Sequence, residues 1–98
     1  PEALIEMIIR YFSNYGDWVL DSFLGSGSTI ATAHKMGRKW VGVELGDHAY
    51  TLCKVRMDNV INGDKTGISK DYHWEGGGGY HFYELAPSLL VKNDKLPI

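Results

Sequence analysis

A chain of 98 residues with a formal net charge of −2 is long enough for one small domain. That charge leaves no overall electrostatic footprint for nucleic acid, which argues against a self-sufficient DNA-binding domain. The single cysteine, Cys53, cannot form an internal disulfide, and no apolar run nears the roughly 20 residues that cross a bilayer. No signal-peptide pattern is visible either, so a soluble, cytoplasmic protein with no membrane partner is expected.

The chain opens on Pro1 directly into a helical pattern and is read as a fragment of something longer. Leu4, Ile5, Ile8, Ile9 and Phe12 recur at three- and four-residue spacing and predict one apolar helix face. Pro1 suits the first turn, Glu2 and Glu6 suit the positive helix start, and residues 14–17 end the helix as a turn. Trp18, Val19 and Leu20, ending at Asp21, predict a short buried strand. A glycine-containing loop over residues 22–27 leads into a second helix, which starts near Ser28 and stops at Gly37. Residues 39–44 predict a second strand. Gly46 and Asp47 cap a third helix, with Tyr50, Cys53, Val55, Met57, Val60 and Ile61 as its apolar positions and Gly63 and Asp64 as its close.

Two strands joined through one helix imply a parallel pair with a right-handed crossover, the unit of an α/β sheet. Two strands make a poor sheet, and the remaining strands are expected outside this chain. Beyond Gly63 the pattern changes. Residues 71–75 and 80–85 read as extended and, joined by Gly76–Gly79, suggest a C-terminal β-hairpin; Leu89, Leu90 and Val91 suggest one more strand. Residues 1–64 are thus expected to form an α/β subregion, with the hairpin and tail of residues 65–98 completing the same domain.

The chemistry is concentrated in residues 19–29, with Glu44 behind them. A strand delivers Asp21 to the carboxyl edge of the sheet, where open α/β folds bind ligands. Gly25 and Gly27 allow a tight turn and close approach of backbone to a ligand, and the helix beginning near Ser28 aims backbone N–H groups at it. The next strand ends in Glu44, placed to accept hydrogen bonds from both hydroxyls of a ribose. A carboxylate beside the loop suits a cationic amino group, such as that of a methionine moiety, better than a pyrophosphate. The dinucleotide fingerprint needs a third glycine where Ile30 stands, and no Gly-Lys pair followed by Ser or Thr exists for the Walker pattern. Each element also has a plain structural reading: glycines as a simple connection, Asp21 as a helix cap, Glu44 as a solvated acid. Their order and spacing favour a nucleoside-methionine site.

These residues carry a family resemblance. Asp21-Ser22-Phe23-Leu24-Gly25-Ser26-Gly27-Ser28-Thr29 resembles the S-adenosylmethionine motif of DNA amino-methyltransferases, commonly Asp-Pro-Phe-x-Gly-Ser-Gly-Thr-Thr. Pro1-Glu2-Ala3-Leu4-Ile5-Glu6 is similar to the supporting helix of the same enzymes. Its place just before the glycine loop is the order of the circularly permuted, beta-type members. Gly67-Ile68-Ser69-Lys70 and Trp74-Glu75 followed by the glycine run and Tyr80 are similar to the modification subunits of type III restriction-modification systems.

The resemblance implies a partial Rossmann-like S-adenosylmethionine-dependent methyltransferase fold and an adenine-specific DNA methyltransferase. It implies that Asp21 contacts the methionine amino end, that Phe23 packs beside the cofactor, and that Gly25 and Gly27 give backbone access. Ser28 and Thr29 would offer donors, Glu44 would hold the ribose, and Ser22 replaces the commoner proline. The family's Asp/Asn/Ser-Pro-Pro-Tyr/Phe/Trp motif, which grips the flipped base, is not present: the prolines are Pro1, Pro87 and Pro97. No catalytic residue is therefore assigned, and the fragment alone is expected to be inactive. DNA is expected as a partner only through the intact protein, a restriction subunit is a further candidate partner, and apolar surface left by missing strands favours self-association.

Two other readings stay open. One is a structural or interaction fragment that keeps the fold and binds nothing. The other is a different Rossmann-like nucleotide-binding enzyme, such as a dehydrogenase, against which Ile30 argues. In the tail, Tyr72, His73, Trp74, Tyr80, His81, Phe82 and Tyr83 would serve base stacking, with Lys65 and Lys70 on phosphate. Burial of these rings as one face of a hairpin is the favoured reading. His73 and His81 are not at metal-site spacing with Cys53, so no metal is expected. His34 and His48 read as surface or partly packed helix residues.

Overall fold

The computed structural model describes residues 2–22, 25, 27–44 and 49–83. In chain order the elements are α1 (Glu2–Phe12), β1 (Trp18–Asp21), α2 (Ser28–Lys35) and β2 (Lys39–Gly42). A π-helical turn (Ala49–Lys54) then runs into α3 (Val55–Ile61), and a 3-10 turn (Gly67–Ser69) follows. The two strands pair in parallel, with Trp18 opposite Lys39 and Asp21 opposite Gly42, so α2 is the crossover of the expected α/β unit. The predicted caps of the third helix, Gly46 and Asp47, lie outside the described residues, as do Pro1, Phe23, His48 and the strand predicted at residues 89–91.

Both helix stops predicted from glycine form the same C-terminal motif. After α2, the Arg38 N–H reaches the Ala33 carbonyl at 2.9 Å and the Gly37 N–H reaches His34 at 3.2 Å. After α3, Asp64 repeats this on Asn59 at 3.0 Å and Gly63 on Val60 at 2.9 Å. This six-to-one and five-to-two bonding needs a left-handed residue, and Gly37 and Gly63 supply it at φ 76° and 90°.

The core is built on α2. Ala33 and Met36 pack with Ile9 of α1 and Ile68, flanked by Ile5, Val19, Trp40 and Tyr72. On another side Ile30 and Ala31 pack with Met57 and Val60 of α3, flanked by Trp40, Trp74 and Tyr80. Trp40 therefore joins both halves.

Several apolar positions are less buried than the sequence pattern predicts. Of the apolar residues of α1 only Ile9 is buried; Leu4 and Ile8 are exposed, and Phe12 is 85% exposed. The strand predicted as buried is covered on one face only, with Trp18 at 67% and Leu20 at 70% exposure. Alternate side chains of a strand point to opposite faces, and among the described residues only the face carrying Val19 and Trp40 meets the helices. In the third helix Cys53, Met57 and Val60 point inward, while Tyr50 and Val55 are exposed.

The C-terminal hairpin is a correction: no strand forms over residues 71–83, and residues 84–85 lie outside the described set. The backbone and ring donors of this stretch are drawn to the helices instead of to each other. The Gly77 N–H bonds the Ile61 carbonyl at 2.8 Å, and Trp74 Nε1 donates to the Val60 carbonyl at 2.7 Å. His34 Nε2 meets the Gly77 carbonyl at 2.9 Å, and its Nδ1 accepts from Trp40 Nε1 at 3.1 Å. The Tyr80 hydroxyl donates to Asp58 at 2.6 Å, and burial together with that bond pushes its pKa up to about 12. The rings of Tyr72, Trp74 and Tyr80 are thus packing residues, as favoured, but against helices rather than in a hairpin. Tyr83 is exposed, and Lys65 donates to the Trp74 carbonyl at 2.8 Å.

Candidate functional site

The carboxyl ends of β1 and β2 lie side by side. The Asp21 carbonyl accepts from Val43 N–H at 2.9 Å, which continues the ladder one step past the strands and brings Glu44 next to the Asp21 tip. A carboxylate oxygen of Glu44 accepts the Gly25 N–H at 2.8 Å, across 19 residues of sequence. Beneath the loop, the Cys53 thiol donates to the Gly25 carbonyl at 3.2 Å. Burial first, then the charges of Glu44 and Asp21, push the Cys53 thiol pKa up. Both carboxylates are therefore within electrostatic reach of the same buried sulfur.

The two glycines differ in role. A Cβ at Gly25 would meet none of the described residues, so of the two glycines this is the one open to the outside. Gly27 faces inward: a Cβ there would meet the Cys53 Cα at 3.5 Å and the Arg56 side chain at 3.8 Å, in ordinary contact. Gly27 immediately precedes α2, in a left-handed conformation with no side-chain cap. The opening turn of α2, where an α-helix leaves backbone N–H groups without intrahelical partners, thus begins at the loop. Ser28 and Thr29 are half-buried there, the Ser28 carbonyl accepts the Thr32 hydroxyl at 2.8 Å, and Ser22 is exposed. Phe23 lies outside the described residues.

Sequence reasoning missed a buried charge cluster centred on Lys35, the last residue of α2. Glu2, which the sequence suggests as a simple helix-start acid, is buried beside Lys35; their side chains are 3% and 0% exposed. Lys35 Nζ donates to Glu2 at 3.0 Å, to Asp64 at 3.4 Å and to the Thr66 carbonyl at 3.0 Å. Arg56 also donates to Glu2, and the Ile68 N–H reaches the same carboxylate at 3.1 Å. Burial alone would raise the Glu2 pKa, but the bonds from Ile68, Arg56 and Lys35 outweigh it and hold the carboxyl below its ordinary value. The cluster ties α1 to α2, α3 and the 3-10 turn, and Arg56 reaches on to the Ser28 hydroxyl at 3.5 Å. No local spacing signals it, because its members lie 33 and 54 residues apart. Among the described residues no group of three His, Cys, Asp or Glu side chains is gathered as a metal site, and no helix is long and apolar enough to cross a membrane.

The fold and site define a class: a partial Rossmann-like α/β protein with acids at adjacent strand tips and a glycine loop between them. Comparison with known proteins narrows it. The DNA methylase family profile matches residues 1–55, and the chain belongs to that family. It is 49% identical over 87 residues to the probable type III restriction-modification enzyme HindVI Mod subunit of Haemophilus influenzae, covering 89% of this chain and 12% of that protein. It is 45% identical over 95 residues to the DNA adenine methyltransferase YhdJ of Escherichia coli, covering 94% of this chain and 32% of that protein. Among solved structures it is similar to a putative DNA modification methylase of Thermus thermophilus complexed with S-adenosyl-L-methionine. That match has a TM-score of 0.54 and 45% identity, over 57% of this chain and 23% of the other. A partial Rossmann-like methyltransferase fold is thereby established, and the chain spans between an eighth and a third of those two curated relatives.

Proposed function

We propose that this chain is the S-adenosylmethionine-binding part of a DNA methyltransferase that modifies the exocyclic amino group of adenine. The observation that supports the reading is the Glu44 carboxylate on the Gly25 N–H, just past the tip of the strand paired with the one that ends in Asp21. The donor set suits the ligand: a ribose diol presents two hydroxyl donors to one carboxylate, and an ammonium group pairs with the other. Glu44 would hold the ribose, Asp21 the amino end, and Ser28 and Thr29 the nearby polar atoms; Phe23 would pack on the cofactor. When bound, the sulfonium supplies an electrophilic methyl group. This chain's residues hold and orient it, and Gly25 leaves its outer side bare.

These residues contain no Pro-Pro pair, so this chain alone is proposed to bind and orient cofactor without transferring methyl groups. Similarity to YhdJ and to the HindVI Mod subunit supports adenine as the target, and the latter supports a restriction subunit as a partner of the intact, cytoplasmic protein. The test is labelled methyl transfer to DNA by a protein that joins this sequence to a Pro-Pro-bearing segment. Label in N6-methyladenine is expected, with none from this chain alone. Label confined to cytosine overturns the substrate assignment, and transfer by this chain alone overturns the division of labour.

A further inference from the structure

We propose that Cys53 is a positioning residue for the cofactor loop, clamping the Gly25 backbone together with Glu44; the functional consequence rests on the S-adenosylmethionine reading above. The Gly25 residue is held from two directions by side chains distant in sequence. Its N–H is directed at the Glu44 carboxylate at 2.8 Å, and its carbonyl receives the Cys53 thiol at 3.2 Å. The neighbouring Gly27 rests on the same support, since even a single added carbon there would touch the Cys53 Cα.

A thiol is a weak donor, and Cys53, only 4% exposed, meets the carbonyl of the exposed Gly25 from its buried side. The residue sits in the π-helical turn Ala49–Lys54, a distortion of helix geometry that often accompanies functional sites. Burial and the carboxylates of Glu44 and Asp21 keep the sulfur protonated at neutral pH, in its donor form.

The clamp has a direct consequence for recognition. A carboxylate accepts at both oxygens, so one Glu44 oxygen can hold the Gly25 N–H while the other remains for a ribose hydroxyl. Fixing the Gly25 peptide from below thus also fixes Glu44. Without the thiol, Gly25 is held by Glu44 alone, and more of the ordering is left to the moment of binding, which weakens affinity.

The test uses the full chain with Cys53→Ala and Cys53→Ser, read by amide hydrogen exchange without ligand and by calorimetric titration with S-adenosylhomocysteine. Loss of one neutral hydrogen bond corresponds to about a fivefold effect. Cys53→Ala is expected to speed Gly25 amide exchange about fivefold and weaken binding by a similar factor, with the core amides of Ile30 and Val60 unchanged. Cys53→Ser keeps a donor and is expected to restore both readouts to within about twofold of the parent. Unchanged Gly25 exchange in Cys53→Ala, or a serine variant that behaves like alanine, overturns the clamp. Failure of the parent chain to bind S-adenosylhomocysteine, with Gly25 exchange still responding to Cys53→Ala, overturns the cofactor reading and leaves the clamp standing. If alanine instead speeds Ile30 and Val60 exchange, the serine variant decides: Gly25 protection restored with the core supports the clamp, and a protected core with an unprotected Gly25 refutes it.

Discussion

Glu44→Ala is expected to weaken S-adenosylhomocysteine binding by about a hundredfold, and Asp21→Ala by about tenfold. Hydrogen bonds to a charged group contribute about 1.5–3 kcal/mol, which corresponds to roughly ten- to a hundredfold in affinity. Glu44 falls at the upper end because its removal takes away the proposed ribose acceptor and also releases the Gly25 N–H, which it holds at 2.8 Å. Glu44→Gln keeps one carbonyl acceptor without the charge and is expected to fall between Glu44→Ala and the parent. Asp21 falls lower because its loss leaves the loop contacts to Glu44 and Cys53 in place. Calorimetric titration of the three variants checks this order. Equal affinity of Glu44→Ala and the parent chain would remove Glu44 from the ribose role.

The largest stability effect is expected at the opposite end of α2. Lys35→Met leaves Glu2 buried with Arg56 as its remaining cation and removes the donor to Asp64 and the Thr66 carbonyl. Breaking a buried pair by deleting one partner typically costs about 3–5 kcal/mol, a large share of the roughly 5–15 kcal/mol that stabilises a domain. Urea unfolding should show this loss, and adding Glu2→Gln to Lys35→Met should restore part of it, since the stranded charge is then gone.

The same cluster sets an acid limit. Glu2 and Asp64 both have carboxyl pKa values held below their ordinary ones in the folded chain. Their contribution is complete above the ordinary value, 4.5 for Glu2, where folded and unfolded chains are both ionised. As pH falls below it, the unfolded chain takes up protons first, and the contribution drains until the folded carboxyls protonate too. Stability should therefore decline below about pH 4.5, and less steeply in Lys35→Met, where the Glu2 carboxyl is held down by fewer partners. An equal slope in both proteins would contradict the role given to Lys35.

The strand-loop-helix-strand order was legible because each boundary carries a local signal: Asp21 ending an apolar run, Gly37 and Gly63 closing helices, and apolar residues at helical or strand spacing. That order alone puts Asp21 and Glu44 at neighbouring strand tips, so the candidate site could be named before any coordinates. Burial was less legible. Trp18, Leu20, Leu4 and Ile8 have the composition of core residues, yet whether a face is covered depends on what packs on it, which periodicity does not encode. The hairpin failed for a related reason. Aromatic stretches on either side of a glycine run resemble two paired strands, but Trp74 and Tyr80 carry polar groups that find partners on α3. The Glu2 cluster and the support from Cys53 depend on contacts across tens of residues between groups that look ordinary in isolation.

Determination of the structure of this chain with S-adenosylhomocysteine tests the account at its centre. The ribose hydroxyls should lie within hydrogen-bond distance of the Glu44 carboxylate and the amino group beside Asp21, with the ligand passing the bare outer side of Gly25. A ligand seated away from these two carboxylates would contradict it.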